Sequence, residues 1–128
     1  MFQQNEVASS FSTNDVEAAK GFYGDVLGFD VAEQYGVLNL SFAGGGKAWI
    51  YPKDDHEPAK FTVLNIVVDD IERAVDGLAA KGVTFEHYDY DPIRTDEKGI
   101  SREGGGAMAW FKDPAGNIVS VGQFPSQS

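Results

Sequence analysis

The sequence predicts an α+β fold built from two tandem βαβββ modules. Three observations carry this expectation. The string Asn14-Asp15-Val16-Glu17-Ala18-Ala19 returns as Asp69-Asp70-Ile71-Glu72-Arg73-Ala74, an offset of 55 positions between 14 and 69, and each copy follows an apolar, strand-like run. Self-similarity at a fixed offset marks an internal duplication. Both copies then show helical spacing, and both reach a glycine followed by a new strand, Leu27-Gly28-Phe29-Asp30-Val31 in the first and Lys81-Gly82-Val83-Thr84-Phe85 in the second.

Asn14 with Glu17, and Asp69 with Glu72, have the spacing at which a cap side chain and an acid three residues on satisfy orphan amide donors. Val16, Ala19, Phe22, Tyr23, Val26 and Leu27 then recur at helical spacing, as do Ile71, Ala74, Val75, Leu78 and Ala79. Gly28 and Gly82 stand where a helix needs a left-handed residue to stop. Strands are expected over 6–12, 29–35, 37–43 and 47–52, then over 61–68, 83–90, 106–112 and 117–123. Turns fall at Tyr35-Gly36, at Ala43-Gly44-Gly45-Gly46 and at Asp113-Pro114-Ala115-Gly116-Asn117. One domain over 1–128 results, with module one at 5–53, a connector at 54–60 and module two at 61–124. The polar stretch from Asp91 to Gly105 breaks the symmetry and reads either as a binding loop or as a solvated one.

Composition bounds the function. The chain has 128 residues, 42% of them hydrophobic, which is enough to bury a core, and it contains no cysteine. Disulfides, thiolate catalysis and cysteine-built metal sites are thereby excluded. A formal net charge of −10 with scattered Lys and Arg opposes binding to nucleic acid or to an anionic membrane. The first six residues lack a basic start and an apolar run, and no stretch approaches the roughly 20 apolar residues that span a bilayer, so a cytoplasmic protein is expected.

With the two βαβββ units, Phe22-Tyr23-Gly24-Asp25-Val26-Leu27-Gly28 and Trp110-Phe111-Lys112-Asp113-Pro114-Ala115-Gly116-Asn117 together resemble the vicinal oxygen chelate superfamily, which holds glyoxalase I, extradiol dioxygenases and the bleomycin-resistance proteins. The resemblance spans essentially the whole chain and implies curved antiparallel sheets around a cleft, often with two chains related by a two-fold axis, so a homodimer is expected. It also implies four metal-ligand positions, mostly His and Glu, two in each module. These fall on Ala8, Val63 and Ser120, with the fourth among Trp49, Ile50 and Tyr51. Divalent ions in such sites need imidazole nitrogen and carboxylate oxygen at about 2.0–2.2 Å, so the resemblance implies a member without the metal ligands and without a cofactor.

Strand alternation then gives the cleft lining. Ser10, Asn39, Trp49, Tyr51, Asn65, Met108, Trp110 and Ser120 are the expected ligand-binding residues, an aromatic and apolar surface with a few short polar groups. Ala8 and Ser12 share the side of Ser10, while Val7 and Phe11 face the helix layer. Catalytic residues are unassigned, because no histidine is placed to activate Ser10 or Ser120. His56, with Asp54, Asp55 and Glu57, reads as a solvated connector and His87 as an edge-strand side chain. Asp96, Glu97 and Glu103 would be general bases only if their loop folded over the cleft. The expected function is metal-independent binding that sequesters a small organic compound, and the acidic surface favours a cationic one. The alternatives are a metal-independent or relocated-metal lyase, isomerase or epimerase, and a partner-binding domain.

Overall fold

Alternation of apolar and polar residues along eight short strands produces two four-stranded sheets, each with one face under a helix. The computed structural model describes residues 1–102 and 105–125. It comprises two units, Met1–Pro58 and a second that begins at Ala59.

In the first unit, β1 (Ser9–Thr13) leads into α1 (Val16–Gly21) and a π-helical turn (Phe22–Val26), followed by β2 (Asp30–Gln34), β3 (Val37–Ser41) and β4 (Lys47–Pro52). The strand order is β1-β4-β3-β2. Phe11, Leu38, Leu40, Ala48 and Ile50 are buried on the face that α1 covers, together with Ala19 and Tyr23 of the helical segment. Each large apolar side chain so buried contributes about 1.5–3 kcal/mol. Tyr23 has no exposure and its ring lies 5.9 Å from that of Phe11, which gives the Phe22-Tyr23 pair of the motif a core role. The widened turn is seen in Leu27 N donating to Phe22 O at 2.9 Å, a bond five residues back. Gly28 then takes φ +80° and ends the helix.

The second unit repeats the plan with β5 (Thr62–Val67), α2 (Ile71–Ala80), β6 (Ile100–Ser101), β7 (Ala107–Lys112) and β8 (Ile118–Gln123), in the order β5-β8-β7-β6. Helix α2 packs on β7 and β8 and buries Ile71 and Val75 over Ala109, Phe111, Val119 and Val121. The Asp113–Asn117 turn holds β7 to β8 through the buried Asp113 carboxylate, whose Oδ1 accepts from Ala115 N at 2.9 Å and Asn117 N at 2.8 Å. Asn117 Oδ1 in turn accepts from Ala59 N at 3.2 Å, tying the entry to β5 to this hairpin.

The two-module α+β class stands, with four differences from the sequence reading. First, the sheets are mixed rather than antiparallel, because β1 pairs with β4 and β5 with β8 in parallel. The helix returns the chain to the end where the first strand began, and two hairpins later the fourth strand runs the same way as the first. Second, the caps are Asp15 and Asp70, not Asn14 and Asp69. Their carboxylates accept from Ala18 N at 3.1 Å and Arg73 N at 3.2 Å. Both aspartates hold the extended backbone a cap requires, and neither Ala18 nor Arg73 can return the reciprocal bond, so no capping box forms.

Third, 83–90 is not a strand. Phe85 makes one bridge to Phe111 and Glu86 N donates to Trp110 O at 2.8 Å, after which the chain leaves the sheet and rejoins it as β6, with Ile100 opposite Ala109. From 85 to 100 the edge advances fifteen residues while β7 advances two, so thirteen residues are looped out. His87 lies on this insertion, exposed, with Nε2 at 3.0 Å from Glu97 O. Fourth, Val7 precedes β1 and is exposed instead of facing the helix.

Candidate functional site

Each sheet has a second face that its helix does not cover, and cross-strand register fixes which residues meet there. In the first unit Ser10 stands opposite Trp49, and Trp49 opposite Asn39, forming one row across β1, β4 and β3. Ser12 stands opposite Tyr51 in the next row. Trp49 is 48% and Tyr51 38% exposed, so this face presents indole and phenol rings beside short hydroxyl and amide groups.

The second unit has the equivalent row. Asn65 stands opposite Ser120, and Ser120 opposite Trp110, across β5, β8 and β7. Met108 lies in the neighbouring row opposite Gly122, which itself pairs with Val67. Ser120 has no exposure and donates to Asn65 Oδ1 at 2.7 Å, which fixes the acceptor side of that amide. The eight expected residues thus fall into two sets of four, Ser10, Asn39, Trp49 and Tyr51 in the first unit and Asn65, Met108, Trp110 and Ser120 in the second.

The offset of 55 carries Ser10 onto Asn65 and Ala8 onto Val63, and register then carries Trp49 onto Ser120. By that correspondence, the position the resemblance leaves open among Trp49, Ile50 and Tyr51 falls on Trp49. Ala8 and Val63 offer no donor atom, an indole N–H cannot coordinate, and the Ser120 hydroxyl is committed to Asn65. Side chains at these four positions do not fit a His- and carboxylate-bound divalent ion. Among the described residues, no three His, Asp or Glu side chains are grouped as a metal site.

The looped-out residues from His87 to Gly99 are organised rather than slack. Thr95 Oγ1 accepts from Tyr88 N at 2.8 Å, and Thr95 N donates to Tyr88 O at 2.9 Å. Asp96 Oδ1 accepts from Lys98 N and Ile100 N, both at 2.9 Å. Lys98 Nζ reaches Glu72 at 2.9 Å and Asp76 at 3.1 Å on α2, and Arg102 reaches Glu72 at 2.5 Å. Asp96 thus serves as a loop cap, and Glu97 is exposed; Glu103 lies outside the described residues. This scaffold sets Tyr88 edge-on to Trp110 with centroids 5.6 Å apart, and Tyr90 against Tyr88 at 6.0 Å. Burial pushes the Tyr88 phenol above its ordinary range, and the Glu86 carboxylate adds to the effect.

Sequence reasoning missed two groups at these faces. Tyr88 and Tyr90 alternate with His87 and Asp89, so the aromatic pair was readable once one face of the segment was given to Trp110. Ser12 and His56 are the other group, with Oγ and Nδ1 2.6 Å apart and 44 positions between them. His56 is delivered there by the turn after β4, where Lys53 N donates to Thr13 O and His56 N to Lys53 O, both at 3.0 Å. In the same turn Lys53 Nζ donates to Asp55 Oδ1 at 2.5 Å, a contact that holds the Lys53 ammonium above and the Asp55 carboxyl below their ordinary ranges.

The sequence model of the Glyoxalase/Bleomycin resistance protein/Dioxygenase superfamily matches residues 4–121. Among solved structures, a glyoxalase/bleomycin resistance protein from Streptomyces sp. CB03234 is 25% identical with a TM-score of 0.64, over 91% of this chain and 97% of that one. TnmS3, an antibiotic binding protein from the same Streptomyces, is 24% identical with a TM-score of 0.67, over 96% and 99%. A glyoxalase/dioxygenase from Nostoc punctiforme is 17% identical with a TM-score of 0.66, over 96% and 92%. No curated protein matches. No helix among the described residues is long and apolar enough to cross a membrane.

Proposed function

Starting from the premise that the chain belongs to the glyoxalase/bleomycin resistance protein/dioxygenase superfamily, we propose that it binds and sequesters a small organic compound without a resident metal. One observation carries this reading: the four positions where the superfamily resemblance puts metal ligands hold Ala8, Trp49, Val63 and Ser120, and the rows around them are aromatic, apolar and hydrogen-bonding. Such surfaces take up a flat, partly apolar ligand and orient it through a few polar contacts. The residues proposed to contact it are Ser10, Asn39, Trp49 and Tyr51 on the uncovered face of the first unit and Asn65, Met108, Trp110 and Ser120 on that of the second, each face taken by itself. The formal charge of −10 favours a cationic compound. The antibiotic binding protein among the structural neighbours supports the same class of role.

The test is a panel of aromatic cations and antibiotics, followed by thermal shift and intrinsic tryptophan fluorescence, with the compound recovered and identified afterwards. Saturable stabilisation with unchanged compound is expected. Conversion of the compound would replace sequestration with catalysis, and no stabilisation across the panel would overturn the reading. It extends to a cytoplasmic homodimer, which a monomer mass in sedimentation would remove.

A further inference from the structure

A serine hydroxyl is a poor nucleophile until a neighbouring base accepts its proton as it attacks. Among the described residues of the first unit, Ser12 has such a neighbour: its Oγ lies within hydrogen-bonding distance of His56 Nδ1, at 2.6 Å, on the face that α1 leaves uncovered. Two features make the pair a built arrangement rather than a passing contact. Ser12 is fixed by the parallel β1–β4 register opposite Tyr51, and His56 by the backbone bonds from Lys53 to Thr13 and from His56 to Lys53. The partly exposed rings of Tyr51 and Trp49 lie on the same face, an apolar wall beside the hydroxyl.

We infer that Ser12 and His56 form a nucleophile–base pair that takes an acyl group from an activated aryl ester. With the imidazole proton on Nε2, Ser12 donates its hydroxyl hydrogen to Nδ1. Oγ then adds to the ester carbonyl carbon while Nδ1 takes the proton. The bond from that carbon to the aryl oxygen breaks, and the leaving aryl oxide receives the proton from Nδ1, giving the acylated serine and a phenol. Water, deprotonated by Nδ1, attacks the same carbon in the second half. The carboxylic acid leaves and Ser12 recovers its hydrogen. The aryl group rests against Tyr51. This activity is independent of the binding reading, since it needs only the ester itself.

The experiment incubates the full chain with p-nitrophenyl acetate and follows phenolate release, intact mass and the site of acetylation by peptide mapping. Acetyl transfer to Ser12 is expected, with the rate falling about 100-fold in His56→Gln, in line with what a positioned base supplies. Acetylation only at lysines, or an equal rate in Ser12→Ala, would overturn it. A second variant separates lost chemistry from lost folding. The chain has no cysteine, so Ser12→Cys places its sole thiol beside the imidazole. Alkylation by iodoacetamide is expected to be at least tenfold faster in Ser12→Cys than in Ser12→Cys with His56→Gln, and equal rates would overturn the pair.

Discussion

Asp113 Oδ1 accepts the backbone N–H of Asn117 at 2.8 Å, and the Asn117 side chain returns to Asp113 Oδ2 at 3.2 Å, so the two ends of one turn are held by each other. Asn117 Oδ1 meanwhile accepts from Ala59 N. The turn is thus a clamp on both the β7–β8 hairpin and the chain entering β5. Asp113→Ala leaves buried amide donors of Ala115 and Asn117 without their acceptor and is expected to cost about 3 kcal/mol. Asn117→Ala should cost about half as much. Urea unfolding of both variants checks the order, and equal midpoints for wild type and Asp113→Ala would contradict the clamp.

Gly99 closes the insertion where the edge of the second sheet resumes. Its φ is +86°, and an added Cβ would lie 2.9 Å from Phe85 Cβ and 3.1 Å from Glu86 O. Gly99→Ala therefore combines a left-handed penalty of about 1–2 kcal/mol with a contact that neither neighbour relieves by a simple rotation. The expected result is a destabilised second unit, with faster hydrogen exchange at the Ile100 amide. Gly36→Ala, at φ +76° with nothing within 4 Å, is the control that carries only the conformational cost.

The insertion is tied to α2 by charge. The Lys98 ammonium is held above the ordinary lysine value of 10.5, first by its bond to Glu72 and then by that to Asp76. A pKa raised on folding means that the contribution is fully present below the ordinary value and is lost as pH rises through the higher folded one. Protection of the 87–99 amides is expected to hold through neutral pH and to weaken above about 10.5. Because all three side chains are exposed, 0.5 M salt should weaken the tie as well. Lys98→Met removes the pH dependence and lessens the salt dependence, to which the Arg102–Glu72 pair still contributes, and a pH dependence that persists in that variant would assign it elsewhere.

The fold was legible where a signal is local and repeated. Helix spacing ending at Gly28 and Gly82 placed both helices, and strand alternation put Ser10, Asn39 and Trp49 on one face. Errors arose where two residues compete for one role or where partners are distant. Asn14 and Asp15 are both able caps, and only the backbone conformation chooses between them. The segment 83–90 alternates like a strand, yet its edge position is completed by Ile100 and Ser101, a two-residue piece too short to carry a pattern. The Ser12–His56 pair depends on a turn that no spacing announces, because 44 residues separate its members.

The two tryptophans report separately on the two uncovered faces, Trp49 in the first unit and Trp110 in the second. Trp110 lies edge-on to Tyr88 at 5.6 Å, and Tyr88 is in turn held by Thr95, so the insertion sets the polarity around that indole. In a Trp49→Phe background, Tyr88→Ala is expected to shift Trp110 emission to longer wavelength, since removing the ring admits water to the indole edge. A compound held at the Asn65–Ser120–Trp110 row should quench the Trp49→Phe background, and one held at Ser10–Trp49–Asn39 a Trp110→Phe background. Quenching that survives in neither background would place binding away from both rows and remove the eight-residue assignment.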